Sequence, residues 1–349
     1  MIKILFFTHA YQDYLSDSLL HGLKSLKEVK VYDYPKKNIL YKNGKDDQGI
    51  TGRGMTLYYL LEDDNLNRFG YFYPILFDKH NELFDDWFSK KYDLIIFSNI
   101  SHQFGYYLQY YPHLKKENTI IIDGEDTPAL FPYFGYFWRR PLFWFIPRAH
   151  KRFAYYKREW TPETKNYRYF KFLPKILLKI LPEPKNVRPI SFSIPEEKII
   201  KTLPAKTKLF PKHIVDEEVS ARVESSFTKY VFDNEHEYYK DLQSSKYGIT
   251  TKRSGWDCLR HYEIAANGAV ICFKDLDRKP TTCAPHGLLP GVNCLSYSNY
   301  DDLIHQISEI NEKRYDELQQ ATLIWIRNNT TVKRAEALLN MVLQSNNSL

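Results

Sequence analysis

The chain has 349 residues, enough for two domains of ordinary size. Its apolar fraction of 43% and charged fraction of 26% are those of a soluble globular protein, which excludes a disordered or fibrous chain. A net charge of +7 favours a polyanionic partner, without choosing among nucleotide phosphates, anionic lipid and nucleic acid.

No apolar run reaches the roughly 18 residues of a membrane span. The opening MIKILFFTHAYQDYL turns polar too early for a signal peptide and reads as a buried first strand. A cytoplasmic protein is expected. Cys258, Cys272, Cys283 and Cys294 form no C-x-x-C pair, so reduced thiols are expected rather than a metal site or disulfides.

In chain order, residues 3–8 read as a strand, 17–26 as a helix and 29–34 as a strand. A helix over 81–90 precedes apolar strands at 94–98 and 119–123. Continuous apolar strands separated by helices predict a parallel sheet covered on both faces. A polar cluster follows each strand: Thr8-His9, Ser98-Asn99, then Asp123-Gly124-Glu125-Asp126. Such clusters line the sheet edge where open α/β folds bind ligands. Glu125, Asp126 and Asp13 are the candidates for a general base there. Capping of the next turn is the competing role for Asp126, and His9 reads either as a site residue or as a satisfied edge residue.

Residues 131–185 break the rhythm with an aromatic, basic, Pro-punctuated stretch. It reads as a connector packed on the protein, or, over residues 131–160, as a surface that dips into an anionic bilayer. The βα pattern then resumes, with strands predicted at 189–194, 206–214 and 229–232 and helices at 216–224 and 235–243.

The segment SSKYGITTKRSGWDCLRHYEIAANGAVICF, residues 244–273, is the richest in chemistry. A strand at 247–250 enters a turn holding Lys252 and Arg253, then a helix capped by Ser254 with Asp257 three residues on. The helix carries Arg260, His261, Tyr262 and Glu263, stops at Asn267-Gly268, and a second strand follows. Cations beside a helix N-terminus suit a diphosphate, and Glu263 suits ribose hydroxyls. The plainer alternative is an Arg260–Glu263 surface pair. A last strand at 294–297 leads into helices over 301–328 and 331–344.

R-H-Y-E-I-A-A-N-G-A-V resembles the nucleotide-sugar-binding helix of GT-B-fold glycosyltransferases of the group 1 type, in which E-x-x-A-x-G precedes a strand. Pro285-His286-Gly287-Leu288, Asn293 to Tyr297 and the Trp325 helix resemble the segments that close that domain. The resemblance implies two Rossmann-like α/β domains with parallel sheets facing a central cleft. It places an acceptor-side domain at 1–185, a donor domain at 186–325 and a helix at 326–349 crossing back. It implies a metal-independent transferase moving a sugar from a nucleotide-sugar to a glycan or lipid-linked hydroxyl, with no cofactor. Glu263 would contact the ribose and Lys252 or Arg253 the diphosphate, with Arg260, His261, Tyr262 and Gly268 completing the donor set. Retaining members often carry a second Glu eight residues earlier, where this chain has Gly255, so the stereochemical outcome stays open. Asp275-Leu276-Asp277 offers a competing metal–diphosphate reading. Two further readings remain: a DNA-base glycosyltransferase, which no groove-reading motif supports, so that nucleic acid is not expected as a partner, and a non-catalytic membrane-surface protein on a degenerate α/β fold. For the enzyme, a peripheral position on the inner face of the membrane is the alternative to a freely cytoplasmic one.

Overall fold

The computed structural model describes residues 1–9, 11–44, 55–63, 91–133, 145–165 and 184–347. The chain forms two compact units. One comprises 1–46, 58–190 and 335–349, and the other 47–57 and 191–334.

The first unit holds a six-stranded parallel sheet in the order β2-β1-β3-β4-β5-β6. Its strands are β1 (Ile2–Phe7), β2 (Val29–Tyr34), β3 (Leu94–Phe97), β4 (Thr119–Asp123), β5 (Ala154–Lys157) and β6 (Val187–Pro189). Every residue of β3 and β4 is buried, as the apolar runs LIIF and TIIID require of strands covered on both faces. Helix α1 (Tyr14–Ser25) joins β1 to β2, and α2 (Ile100–Tyr110) joins β3 to β4. Asp13 and Asn99 cap these helices, Asp13 accepting the backbone N–H groups of Leu15 and Ser16 and Asn99 that of Ser101. Phe7, Phe97, Tyr107, Ile121, Phe153 and Tyr155 lie together in the core.

The sequence reading missed β5. It is short and ends on a lysine, and Lys157 is tolerated inside the sheet because its Nζ lies 2.8 Å from Asp123 Oδ1, both side chains fully buried. Residues 149–157, expected in a connector or membrane-facing surface, therefore form a four-residue helical turn, α3 (Ala149–Arg152), and an inner strand. Of the aromatic stretch, residues 134–144 and 166–183 lie outside the described residues, as does the helix expected over 81–90. The strand expected at 189–194 instead ends at Pro189 as the edge strand β6.

The second unit holds a three-stranded parallel sheet, β7 (Tyr247–Thr250), β8 (Val270–Lys274) and β9 (Cys294–Tyr297), in that order. Around it lie α4 (Glu217–Arg222), α5 (Glu235–Ser244), α6 (Leu259–Ala266), α7 (Tyr300–Ser308) and α8 (Glu312–Arg327). The chain ends in α9 (Thr331–Asn347). Ile249, Val270, Cys272, Leu295, Tyr297 and Leu318 fill the core.

Two expected strands are not formed. Residues 206–214 contribute only single parallel bridges, Lys208 to Ser245 and His213 to Phe227. The run at 229–232 stays irregular, and the half-buried rings of Tyr230 and Phe232 pack against Tyr238 of α5. The long helix expected over 301–328 is two helices, parted where Asn311 caps α8.

Two glycines set the close packing of α6. A Cβ on Gly248 of β7 would meet Ile264 of α6 at 2.5 Å. Gly268 adopts φ +70° just past the end of α6, as a helix C′ glycine does, and a Cβ there would meet Ile200 at 2.6 Å.

Candidate functional site

Each unit gathers polar groups at the C-terminal edge of its sheet. In the first unit the strand order reverses between β1 and β3, and such a switch point leaves a crevice at the strand ends. His9 follows β1 there and Asn99 follows β3. His9 Nε2 lies 3.2 Å from Asp13 Oδ2, and Asn99 Nδ2 donates to the same oxygen at 2.7 Å. The other oxygen of Asp13 accepts the backbone N–H groups of Leu15 and Ser16, both at 3.1 Å. Burial works against the Asp13 carboxylate, but His9, Asn99 and the helix N–H groups outweigh it and hold its pKa near about 2.

The His9 ring stacks on His102 with centroids 4.5 Å apart, and its Nδ1 is buried without a hydrogen-bond partner. Behind it, the buried Lys37 ammonium donates to the His9 carbonyl at 2.9 Å and lies 3.2 Å from Asp17. Burial and the neighbouring His9 lower the pKa of His102.

The four residues following Ile122 divide sharply. Asp123, expected to face the site, is fully buried and accepts from Tyr133 at 2.9 Å, from Lys157 and from Tyr155. It ties β4 to β5 rather than meeting a ligand. Asp126 pairs with the buried Arg158 guanidinium, whose Nε donates to the Gly124 carbonyl at 2.9 Å, so it does not simply cap the next turn. Glu125 is half-buried, accepts the Ser101 hydroxyl at 2.5 Å and lies 3.6 Å from His102 Nε2. The structure thus brings Glu125 and Asp13 together through Asn99, with His9 and His102 beside them, and sets Asp126 apart. Asn99, Ser101 and His102 were not singled out as site residues; their only sequence signal is a polar cluster after an apolar strand.

In the second unit, Lys252 and Arg253 follow β7, both exposed and without an ion-pair partner among the described residues. Lys252 Nζ lies 5.1 Å above the Trp256 ring. The helix begins later than expected. Ser254 does not cap it; Cys258 occupies the N-cap position of α6 and makes no side-chain cap bond. Asp257 is drawn inward instead, accepting the Phe192 N–H at 2.8 Å and the Tyr262 hydroxyl at 3.1 Å. Glu263 is consequently only just beyond the first turn of α6.

Tyr262 and His261 are fully buried. Tyr262 packs against Trp325, and His261 stacks on Phe273 with centroids 4.5 Å apart. Both position α6 from behind, as Gly268 does by ending it. Arg260 is half-buried, with Nη1 3.8 Å from Cys258 Sγ.

Glu263 is buried. It accepts the Thr56 hydroxyl at 2.7 Å and the Tyr238 hydroxyl at 3.2 Å, and Tyr239 donates to Thr56 at 2.6 Å. Burial raises its pKa to about 7, against the opposing pull of Thr56, Arg260 and Tyr238. Thr56, Tyr238 and Tyr239 were missed by sequence reasoning. No spacing rule signals a partner 207 residues away.

Of the D-x-D pair, Asp275 has φ 55° and pairs with Arg278 at 3.4 Å, while Asp277 accepts the Ser296 hydroxyl at 3.1 Å. Among the described residues no group of three or more His, Cys, Asp or Glu side chains is arranged to hold a metal. No helix of the described residues is long and apolar enough to cross a membrane.

No family model matches the sequence, and no match is found among curated proteins. Solved structures do match. A glycosyltransferase from Rickettsia africae ESF-5 aligns with a TM-score of 0.53 at 8% identity, covering 98% of each chain. Anabaena HepE in complex with UDP aligns at 0.51 and 7% identity over 99% of this chain and 100% of its own. The same protein in complex with UDP-glucose aligns at 0.51 and 9% identity over 100% of both. At such identities the likeness is one of fold. The chain has a GT-B-like glycosyltransferase fold, built of two Rossmann-like α/β units with parallel sheets.

Proposed function

We propose that this protein is a glycosyltransferase that moves a sugar from a nucleotide-sugar donor to a glycan or lipid-linked hydroxyl without a metal. The observation that carries this reading is the pair of exposed cations, Lys252 and Arg253, without an ion-pair partner among the described residues, after β7 and ahead of the α6 N-terminus. Two exposed cations and oriented backbone N–H groups supply the countercharge that a diphosphate needs. Glu263 lies on the same helix and already accepts the Thr56 and Tyr238 hydroxyls, the first of which a ribose hydroxyl would replace. Arg260 completes the donor set, with His261, Tyr262 and Gly268 fixing α6 in place.

In the transfer, the acceptor oxygen bonds to the anomeric carbon, the bond from that carbon to the phosphate oxygen breaks, and the nucleoside diphosphate leaves. The acceptor proton needs a base. Asp13 is too weakly basic and Asp126 is engaged by Arg158. His9, oriented by Asp13, and the half-buried carboxylate of Glu125 are the groups that remain to serve.

Titration calorimetry with uridine, guanosine, adenosine and thymidine diphosphates tests the donor assignment. At least one should bind, and replacing Lys252 and Arg253 together with Ala should weaken it by about tenfold or more, the worth of one charge-assisted contact. Absence of binding by every nucleotide removes the basis of the proposal.

A further inference from the structure

We propose that Cys258 is a peroxide-reactive thiolate, a modification site at the start of α6 whose oxidation strengthens anion binding by that helix. The Sγ of Cys258 lies 3.8 Å from His261 Nδ1, 3.8 Å from Arg260 Nη1 and 4.0 Å from Thr250 Oγ1. His261 Nε2 faces the Trp256 carbonyl at 2.9 Å, and a carbonyl only accepts, so the neutral ring carries its proton on Nε2. Nδ1 then accepts the Thr250 hydroxyl at 3.0 Å, with the Cys258 sulfur 3.8 Å away on the same side. A thiol, a base within reach and a third group that orients the base is the arrangement that activates nucleophiles. Arg260 adds a positive charge, and the N-cap position adds the positive end of the α6 dipole.

The ionisation equilibria agree with this geometry. Burial opposes the thiolate, yet His261 and Arg260 prevail and lower the Cys258 pKa to about 6. Burial likewise opposes the imidazolium, and Cys258 overcomes it, raising the His261 pKa. The other cysteines contrast. Cys272, Cys283 and Cys294 are fully buried, and burial raises the pKa of Cys272 and pushes that of Cys294 to about 12. Cys258 alone among the four is partly accessible.

With hydrogen peroxide as oxidant, the thiolate sulfur attacks one peroxide oxygen. The S–O bond forms, the O–O bond breaks and the sulfur gives up two electrons. The departing hydroxide takes the imidazolium proton of His261 and leaves as water, and Cys258 becomes a sulfenic acid. His261 is left neutral, and Arg260 loses its anionic partner and is free to pair with a bound anion. The effect on nucleotide binding rests on the donor site proposed above, whereas the reactivity does not.

Native full-length protein is treated with iodoacetamide between about pH 5 and 9, and labelling is read at each cysteine by peptide mass spectrometry. Cys258 should label with a midpoint near about 6. Replacing either neighbour, as His261→Gln or Arg260→Gln, should move the midpoint up. If His261→Gln fails to fold, Arg260→Gln gives the same readout. A wild-type midpoint at the ordinary thiol value of about 8.5, or no labelling of Cys258, overturns the proposal. After peroxide, a sulfenic-acid probe should mark Cys258, and nucleoside diphosphate affinity should rise about tenfold, a gain absent in Cys258→Ser when oxidised and reduced samples are compared. Equal affinity before and after oxidation in wild type refutes the regulatory half. If Cys258 labels as expected and no sample binds nucleotide, the donor assignment fails and the reactive thiolate stands.

Discussion

At the residue scale, the buried carboxyl of Glu263 links folding to pH. Its pKa is raised by burial from 4.5 to about 7. A raised carboxyl pKa means that the folded state holds the proton more tightly than the unfolded state. The stabilisation is therefore fully present below pH 4.5 and is lost as pH rises through about 7. Glu263→Gln keeps the shape and removes the titration. Relative to wild type, the Gln variant should gain up to roughly 3 kcal/mol across that window in urea denaturation. A pH-independent difference between the two would show that Glu263 ionises freely.

His9 makes a second residue-scale prediction. His9→Ala should cut kcat by about 10²-fold or more with little change in nucleotide affinity, as loss of a general base does. If Glu125→Gln alone produces that loss, the base is the carboxylate. Asp13→Asn should instead act through orientation, because the amide cannot accept from His9 and from the α1 N–H groups with the same charge.

At the element scale, the first sheet is tied together by a buried charge pair. Lys157 of β5 reaches Asp123 of β4 in full burial, and the Tyr133 and Tyr155 hydroxyls occupy the same carboxylate. Removing one partner of such a pair leaves an uncompensated charge, at a cost of about 3–5 kcal/mol. Lys157→Met should destabilise the protein by that order in chemical denaturation, and adding Asp123→Asn should recover most of it. A single-variant cost below about 1 kcal/mol would mean that the pair contributes little to holding β4 and β5 together. The same pair explains why β5 escaped the sequence reading. A lysine in a four-residue strand signals an edge or a loop, unless its partner, thirty-four residues earlier, is known. The helix α6 was more legible. Its apolar spacing, Asn267-Gly268 stop and following strand are all local, and only its start was misplaced, because Asp257 binds Phe192 and Tyr262 instead of capping the first turn.

At the scale of the whole molecule, the alternation of apolar strands and helices sufficed for the α/β class and for parallel sheets, since strands buried on both faces must be apolar throughout. It did not suffice for strand order. The β2-β1-β3-β4-β5-β6 arrangement follows from long-range pairing that local patterns do not encode, and it places His9 and Asn99 at the same switch point. By itself the sequence determined the local unit around α6: a strand, two cations, a helix with its acid, and a glycine stop within thirty residues. Tertiary structure alone decided which acids are free to act. Burial with Lys157 turned Asp123 into scaffold, His9 and Asn99 made Asp13 a weak base, and Thr56, from 207 residues away, took a hydroxyl position on Glu263. Desolvation and hydrogen bonding set the ionisation of each group, and both depend on neighbours that only the folded chain supplies.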